Sequence, residues 1–142
     1  MKISTRGRYA LRLMIDLASG DLTVPKSIKD IAGRQGISEK YLEQIISGLN
    51  KAGLVKSIRG AQGGYILTKE PAEYTVGMIF RVTEGNLAPV KCIGTDEEPC
   101  DKKASCVTIK LYEKINEAVN GVVDSVTLAD ILQWQAETQD NE

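Results

Sequence analysis

The chain has 142 residues, of which 42% are hydrophobic and 5% aromatic, and its formal net charge at pH 7 is −1. This composition indicates an aliphatic core and either one domain or a small domain with a dimerisation extension. A membrane protein is not expected, because no stretch approaches the roughly 18 apolar residues that a bilayer span needs. The first residues also lack the apolar core of a secretory signal, so we expect a cytoplasmic protein.

The two halves of the chain differ in charge. Residues 1–69 contain 12 lysines and arginines and 5 acidic residues, a net charge of +7. Residues 70–142 contain 6 lysines and arginines and 14 acidic residues, a net charge of −8. A basic first half favours contact with a polyanion such as DNA, although two solvated surfaces of opposite sign are the alternative.

The first predicted helix spans about residues 5–19 and ends at Gly20. Its apolar residues recur at helical spacing, namely Ala10, Met14, Leu17 and Ala18. Lys2, Arg6 and Arg8 lie at or before its start. These cations are predicted to neutralise DNA phosphates, contacts that strengthen binding without specifying sequence.

A short helix, a glycine-containing turn and a second helix follow. Ser27 and Ser38 are suitable N-caps for the two helices, and the second is expected to end near Ala52. In helix–turn–helix proteins the start of the second helix meets base edges in the major groove, where Gln can read adenine and Glu can accept from cytosine. The residues predicted to contact DNA there are Ser38, Glu39, Lys40, Tyr41, Glu43 and Gln44.

Two short strands are predicted at residues 54–58 and 65–68, joined by a glycine-rich turn. Arg59 and Gly60 at its tip are predicted to contact phosphate or the minor groove, because glycines let a backbone approach closely. A helix–turn–helix pattern alone is also typical of an ordinary helical hairpin. Together with this wing and the basic charge, it predicts a winged helix–turn–helix DNA-binding domain over residues 1–85.

A fourth helix is predicted over residues 76–84 with Thr75 as its cap, and the three cysteines of the chain lie in one stretch after it. Seven residues separate Cys92 from Cys100, and five separate Cys100 from Cys106. Thiolates prefer iron–sulfur clusters, zinc or copper(I), and these spacings are wider than those of structural zinc sites. Free or redox-active thiols are the alternative. Residues 86–103, which contain glycine and proline, are predicted to form a loop.

A long helix is predicted from about Ala104, which places Cys106 in its first turn. Apolar or small residues alternate three and four positions apart, as at a coiled-coil seam, namely Thr108, Leu111, Ile115, Ala118 and Val122. Residues 104–136 are therefore predicted to form a dimerisation helix and a last short helix, which Thr127 caps. Residues 137–142 are predicted to be a disordered tail.

The chain offers little that is typical of an enzyme. It has no histidine to act as a general base, and it lacks a phosphate-binding loop and a nucleophile elbow. A small iron–sulfur electron carrier is an alternative of another class, but such a protein needs neither a wing nor a basic half. The pattern favours a DNA-binding protein with a thiol-containing sensor.

These motifs resemble the Rrf-type family of bacterial winged helix–turn–helix regulators over nearly the whole chain. The matching segments are Ser4–Leu11, Tyr41–Ile45, Gly53–Val55 and the wing motif Arg-Gly-x-x-Gly-Gly-Tyr at Arg59–Tyr65. The three cysteines are similar to those of the IscR-like members, which bind an iron–sulfur cluster. The resemblance implies a mainly α fold with a small β-wing, a double-stranded DNA operator, and a homodimer joined by the long helix. It also implies one cluster for each subunit.

The chain departs from this pattern at the fourth cluster ligand. IscR-like members have a histidine three residues after the third cysteine, where this chain has Ile109, and nitric-oxide-sensing members have an aspartate where it has Arg8. The spacing between the first two cysteines is also two residues longer than usual. The fourth ligand is open among a hydroxyl, a solvent oxygen, an external thiol, Glu97, Glu98 and Asp101.

Two functional hypotheses follow. In the first, a cluster held by the three cysteines, 2Fe–2S in preference to 4Fe–4S, controls binding to the operator, and Glu43 influences which operator is chosen. In the second, the protein is a cluster-free repressor of cysteine or sulfur metabolism. It would then use thiol sensing or a partner enzyme.

Overall fold

The computed structural model of the protein describes residues 2–90, 93 and 106–140. These residues form six α-helices and a two-stranded antiparallel sheet, which confirms the predicted mainly α fold with a small wing. The elements are α1 (Thr5–Ala18), α2 (Ile28–Gln35), α3 (Glu39–Lys51), β1 (Val55–Ile58), β2 (Gly64–Leu67), a 3₁₀ turn (Pro71–Glu73), α4 (Val76–Glu84), α5 (Ile109–Ser125) and α6 (Leu128–Asp140).

Side-chain caps determine where most of these helices begin. A hydroxyl before each of α1 to α4 accepts a hydrogen bond from the backbone N–H three residues later, and the capping residues are Ser4, Ser27, Ser38 and Thr75. Such a cap satisfies an N–H group that has no partner within the helix and contributes about 1 kcal/mol. The caps at Ser27, Ser38 and Thr75 are the ones predicted from the sequence.

The core forms around α1, which packs against α2, α3, α4 and α6. Leu13 and Met14 are fully buried on α1, as are Leu42 and Leu49 on α3. All four apolar residues predicted for α1 are buried, namely Ala10, Met14, Leu17 and Ala18. Both helices of the helix–turn–helix are thus packed against one central helix.

The wing is attached to the rest of the fold at both ends of its two strands. β1 pairs with β2 with Val55 opposite Leu67, and the backbone of Lys26 exchanges hydrogen bonds of 2.9 and 3.1 Å with Tyr65 of β2. The fully buried Tyr74 donates its hydroxyl proton to the Leu54 carbonyl at 2.7 Å. The same hydroxyl accepts from the N–H groups of Thr68 and Lys69.

The last two helices differ from the sequence prediction. α5 begins at Ile109 rather than near Ala104, so Cys106 lies in a turn before the helix and not in its first turn. The chain makes a turn before the helix, in which the Ile109 N–H lies 3.4 Å from the Cys106 carbonyl oxygen. The apolar spacing that predicted the helix begins in this turn, at Thr108.

α6 continues to Asp140, so residues 137–140 are helical rather than part of a disordered tail. The polar composition of this end predicted disorder, but its side chains form hydrogen bonds within the helix. The Thr138 hydroxyl, for example, donates to the Trp134 carbonyl at 2.9 Å. Residues 141–142 lie outside the described residues. Every helix in the described part of the chain is too short or too polar to cross a lipid bilayer.

Candidate DNA-binding face and cysteine segment

The start of α3 presents a row of polar side chains to solvent. Glu39, Lys40, Glu43 and Gln44 are all exposed, whereas the opposite face of the helix is buried in the core. Ser38 is also exposed, and its hydroxyl accepts from the Tyr41 N–H at 3.2 Å. The amphipathic spacing of α3 therefore orients the predicted base-reading residues away from the protein.

The turn between α2 and α3 depends on Gly36. This residue has a φ of +66°, in the left-handed region that favours glycine, and its N–H donates to the Ala32 carbonyl at 2.9 Å. Ile37, the next residue, is buried in the core. A sharp turn with an apolar anchor thus sets the angle at which α3 leaves α2.

Aromatic and cationic side chains join α3 to α1. The half-buried Tyr41 packs edge-to-face on Tyr9, with ring centroids 5.7 Å apart, and the Arg12 guanidinium lies 5.5 Å from the Tyr9 ring centre. Arg12 also donates to the side chain of Gln35 at 3.2 Å. Unlike its exposed neighbours on α3, Tyr41 thus contributes to the joint between two helices.

A buried carboxylate joins α1 to α2. Asp16 is only 6% exposed, and Arg34 donates to both of its oxygens, at 2.8 and 3.0 Å. Gln35 donates to it at 2.9 Å, and the Lys26 ammonium lies 3.9 Å away. Burial acts to raise the pKa of Asp16, but the hydrogen bonds from Arg34 and Gln35 outweigh burial and hold that pKa below its usual value. An acidic residue within the apolar run 13–18 is the sequence signal that could have revealed this network.

The predicted phosphate contacts on α1 are exposed. Lys2 precedes the helix, and Arg6 and Arg8 lie in its first turns. The Arg8 guanidinium donates to the Thr5 hydroxyl at 3.1 Å. Because Tyr9 contacts Tyr41, this end of α1 lies beside the start of α3.

The tip of the wing requires glycine at three positions. Gly60 has a φ of +114°, and both it and Arg59 are exposed. A Cβ atom on Gly63 would lie 2.1 Å from the Ile58 carbonyl oxygen, and one on Gly64 would lie 2.3 Å from the Lys26 carbonyl oxygen. These contacts explain why the wing motif contains adjacent glycines.

The cysteine segment is described only in part. Cys92 and Cys100 lie outside the described residues, as do Glu97, Glu98 and Asp101. Cys106 is half-exposed, with its sulfur 3.2 Å from the Thr108 hydroxyl oxygen, and this hydrogen bond lowers the pKa of the thiol. Within the described residues, no three His, Cys, Asp or Glu side chains are grouped closely enough to hold a metal ion.

The three thiols of the chain are ligands of the type that an iron–sulfur cluster uses. They lie in one segment, and the lowered pKa of Cys106 favours the thiolate form that binds metal. Neither position at which the family resemblance implies a fourth ligand offers one here. Ile109 is the first residue of α5, and Arg8 is a cation.

A joint between α4 and α5 lies next to this segment. Arg81 of α4 donates to both carboxylate oxygens of Asp124, at 2.6 and 2.9 Å, and to Asn120 at 3.0 Å. A cavity of about 440 Å³ opens beside Arg81, and Ile93, the residue after Cys92, forms part of its wall with Asn116. Ile93 therefore lies near the middle of α5.

Comparison with known proteins places these features in a family. Residues 3–133 match the Rrf2 family, which is described as iron-dependent transcriptional regulators. The regulator CymR of Bacillus subtilis (strain 168) is 48% identical over 134 residues, which cover 94% of this chain and 91% of CymR. The regulator IscR of Serratia proteamaculans (strain 568) is 37% identical over 135 residues, which cover 95% of this chain and 81% of IscR.

Solved structures give the same result. The structure of CymR, the global cysteine regulator of B. subtilis, superposes with a TM-score of 0.77 at 48% identity, covering 94% of this chain and 98% of that one. The structure of T. potens IscR superposes with a TM-score of 0.76 at 45% identity, covering 98% and 91%. These relatives are regulators rather than enzymes, in agreement with the expectation from the sequence. The chain belongs to the Rrf2 family of transcriptional regulators.

Proposed function

We propose that the protein is a homodimeric, cytoplasmic regulator that binds a specific DNA operator under the control of an iron–sulfur cluster. In this proposal residues 1–85 bind DNA, residues 86–103 with Cys106 hold the cluster, and residues 104–136 form the dimer. The observation that supports DNA binding best is the exposed polar face of α3, with α1 on one side and the wing after it.

The side chains on this face have complementary roles. Gln44 can pair with adenine through two hydrogen bonds, and Glu43 can accept a hydrogen bond from cytosine. Lys2, Arg6 and Arg8 neutralise phosphates and set the position of the protein on the duplex. The remaining residues assigned to the DNA contact are Ser38, Glu39, Lys40, Tyr41, Arg59 and Gly60.

Exposed apolar residues on α5 support the homodimer. Leu111 is 54% exposed, Ile115 is 37% exposed and Val122 is 62% exposed, and they are spaced four and seven residues apart. Val123 is the one residue of α5 that is buried in the described part of the chain. An apolar stripe of this kind on a 17-residue helix favours pairing with the same stripe of a second copy.

The cluster is assigned to Cys92, Cys100 and Cys106. Three observations support this assignment: the three thiols, the lowered pKa of Cys106, and the similarity to IscR at 45% identity over 98% of this chain. When bound, such a cluster would make the state of the protein depend on the supply of iron and on oxidants. Control of DNA binding requires that the cluster has different affinities for two conformations of the protein. Cys92 follows α4 and Cys106 precedes α5, so ligands on both sides join two helices of the fold.

A cluster-free function is the second candidate. The 48% identity to CymR, described as a global cysteine regulator, favours a repressor of cysteine or sulfur metabolism. The half-exposed Cys106 thiol with its lowered pKa is suited to thiol chemistry in such a protein. The two candidates share the DNA-binding face and differ in whether iron is bound.

Purification without oxygen separates the two candidates. We expect a coloured protein with equal amounts of iron and acid-labile sulfide, whose visible absorption is lost in Cys92→Ser, Cys100→Ser and Cys106→Ser variants. Operator binding measured before and after cluster removal then tests control by the cluster. A colourless, iron-free protein after attempted reconstitution would contradict the cluster and favour the second candidate.

A further inference from the structure

We propose that Glu84, at the end of α4, is a positioning residue for DNA binding. Its carboxylate holds the start of α1 in the orientation in which Arg6 and Arg8 meet the phosphate backbone. This inference rests on the proposed DNA-binding function and adds to it a residue that does not itself touch DNA.

The contact joins residues that are 80 positions apart in the sequence. One oxygen of Glu84 accepts from the Ser4 backbone N–H at 3.1 Å and from the Ser4 hydroxyl at 2.5 Å. A serine hydroxyl has a single proton, so donation to Glu84 leaves its lone pairs to accept the Gly7 N–H, at 3.0 Å. Glu84 therefore orients the hydroxyl that caps α1.

The first turn of α1 is shaped to admit this carboxylate. Gly7 is buried, and a Cβ atom there would lie 2.2 Å from the Glu84 oxygen. The run Thr5-Arg6-Gly7-Arg8 contains no acidic residue, although a helix N-terminus favours negative charge. Glu84 supplies that charge from a different helix.

The same short segment displays the phosphate-binding cations. Lys2 lies two residues before Ser4, and Arg6 and Arg8 lie two and four residues after it; all three are exposed. Loss of the Glu84 contact would leave the cap without its orienting partner and allow the first turn to fray. A frayed cation must be ordered again when DNA binds, and this cost in conformational entropy leaves about one phosphate contact unmade in the complex.

The test compares Glu84→Gln with Glu137→Gln, which removes the same charge from α6. The Glu137 side chain is exposed and bonds to the Gln133 side chain. Binding is measured by fluorescence anisotropy over a range of salt concentrations. The probes are a duplex from upstream of the gene that encodes the chain and a scrambled duplex of equal length.

The two variants are expected to differ in their affinity for DNA. Removal of a negative charge should leave DNA binding unchanged or tighten it slightly, and this is the expectation for Glu137→Gln. Glu84→Gln should instead weaken binding to both duplexes about tenfold and flatten the salt dependence by about one unit of slope. The ratio between the duplexes should not change, because phosphate contacts do not read sequence. If Glu84→Gln binds as tightly as Glu137→Gln, the positioning role is wrong.

Ser4→Ala tests whether the effect passes through the helix cap. The double variant with Glu84→Gln should bind DNA within about twofold of the weaker single variant, because both substitutions remove one contact. Losses that multiply would overturn the proposed route through Ser4. Circular dichroism identifies conditions under which each variant is folded, and if Glu84→Gln does not fold, Ser4→Ala alone is measured for affinity and salt slope.

The outcomes also separate this inference from the function on which it rests. A wild-type protein that binds neither duplex would overturn the proposed DNA binding. A wild-type protein that binds DNA, alongside a Glu84→Gln variant with the same affinity and salt slope, would overturn only the role of Glu84.

Discussion

The buried carboxylate of Asp16 is the residue on which the joint between α1 and α2 depends. It receives hydrogen bonds from Arg34 and Gln35, the last two residues of α2. A carboxylate that is this buried is stable only while its charge is compensated, because an uncompensated buried charge is costly. The charge of Asp16 therefore influences the position of the whole helix–turn–helix.

Substitution of Asp16 by Asn should lower stability in a pH-dependent way. The pKa of Asp16 is lowered in the folded state, so its stabilising effect is present above the unfolded pKa of about 3.9 and is lost as pH falls through the folded pKa. We expect Asp16→Asn to reduce the free energy of unfolding by about 1–3 kcal/mol at pH 7. The difference from the wild type should shrink below about pH 4. Urea unfolding at several pH values measures both effects.

The exposed Asp30 of α2 provides the control. Asp30→Asn should change the free energy of unfolding by less than about 0.5 kcal/mol at neutral pH, because Asp30 is exposed and acts on Arg34 only through a weak, solvent-screened electrostatic interaction. A stability loss for Asp16→Asn that is the same at pH 3 and pH 7 would show that packing, rather than charge, explains its role.

Glu43 is expected to affect the choice among DNA sequences. Its carboxylate is exposed on α3, where it can accept from one base and repel groups on another. Glu43→Ala should therefore narrow the differences in affinity among operator variants, by up to about 1–3 kcal/mol at the base pair that it reads. Competition binding with a set of single-base operator variants measures these differences.

A matched substitution on α5 checks that the effect is local. Glu113→Ala removes the same exposed charge far along the sequence and should leave the preference among operators as it is in the wild type. If Glu43→Ala also leaves that preference unaltered, Glu43 does not contribute to operator choice.

Contacts between distant residues were beyond prediction from this sequence. Asp16 and Arg34 are 18 residues apart and Ser4 and Glu84 are 80 apart, and each contact forms only because α1 packs against α2 and α4. Periodicity shows which face of a helix is buried, but it does not show which polar groups meet when faces pack. The exposed residues of α3 were predicted because their exposure depends on α3 alone.

Among the elements, the wing depends most on close backbone contact. Gly64 lies against the backbone of Lys26, where the segment before α2 bonds to β2. The Tyr74 hydroxyl holds the other end of the wing through three backbone groups. The two strands of the wing are therefore fixed at both ends, while the turn that bears Arg59 is exposed.

Substitution of Gly64 by Ala should separate the wing from the segment before α2. The added methyl group would lie 2.3 Å from the Lys26 carbonyl oxygen, and the φ of +152° at this position disfavours a side chain. We expect a loss of about 1–3 kcal/mol in the free energy of unfolding, the usual cost of overpacking. Amide exchange of Tyr65, which donates to Lys26, should accelerate more than exchange in α1.

Gly33→Ala is the matched control for this substitution. Gly33 lies within α2 with nothing within 4 Å of its would-be Cβ atom, so alanine there should be neutral or stabilise by up to about 1 kcal/mol. Equal stability of Gly64→Ala and the wild type would show that the wing can move away from Lys26 without cost.

The starts of the helices are predicted accurately where the sequence contains a capping residue. α2, α3 and α4 begin at side-chain caps that can be recognised in the sequence, and their starts were predicted to the residue. At α5 Thr108 makes no side-chain cap hydrogen bond, so periodicity alone placed its start near Ala104 and five residues too early. α6 extends past Trp134 through polar residues that bond within the helix, a pattern that resembles a disordered tail in composition.

At the scale of the whole molecule, the exposed stripe on α5 predicts the oligomeric state. Leu111→Glu should place a charge in the proposed contact between two copies and shift the protein to monomers, measured by analytical ultracentrifugation. Operator affinity should fall together with dimerisation, because the two DNA-binding units of a dimer bind as a linked pair.

Val24→Glu is the corresponding control. Val24 is 55% exposed, about as much as Leu111, but it lies in the segment between α1 and α2. The Val24→Glu variant should sediment with the mass of the wild type. Dimers that survive Leu111→Glu would place the contact between subunits elsewhere on the molecule.

The joint between α4 and α5 also bears on the DNA that the protein can recognise. Arg81 holds Asp124 through two hydrogen bonds, and Tyr74 and Val76 bond to the backbone where α5 meets α6. If α5 joins two copies, these contacts fix the distance and the angle between their recognition helices. The operator must then present its half-sites in phase, about 10–10.5 base pairs or a multiple apart. About five base pairs added between the half-sites would turn one of them to the far side of the duplex. Two recognition helices held at a fixed distance and angle could then not contact both half-sites at once.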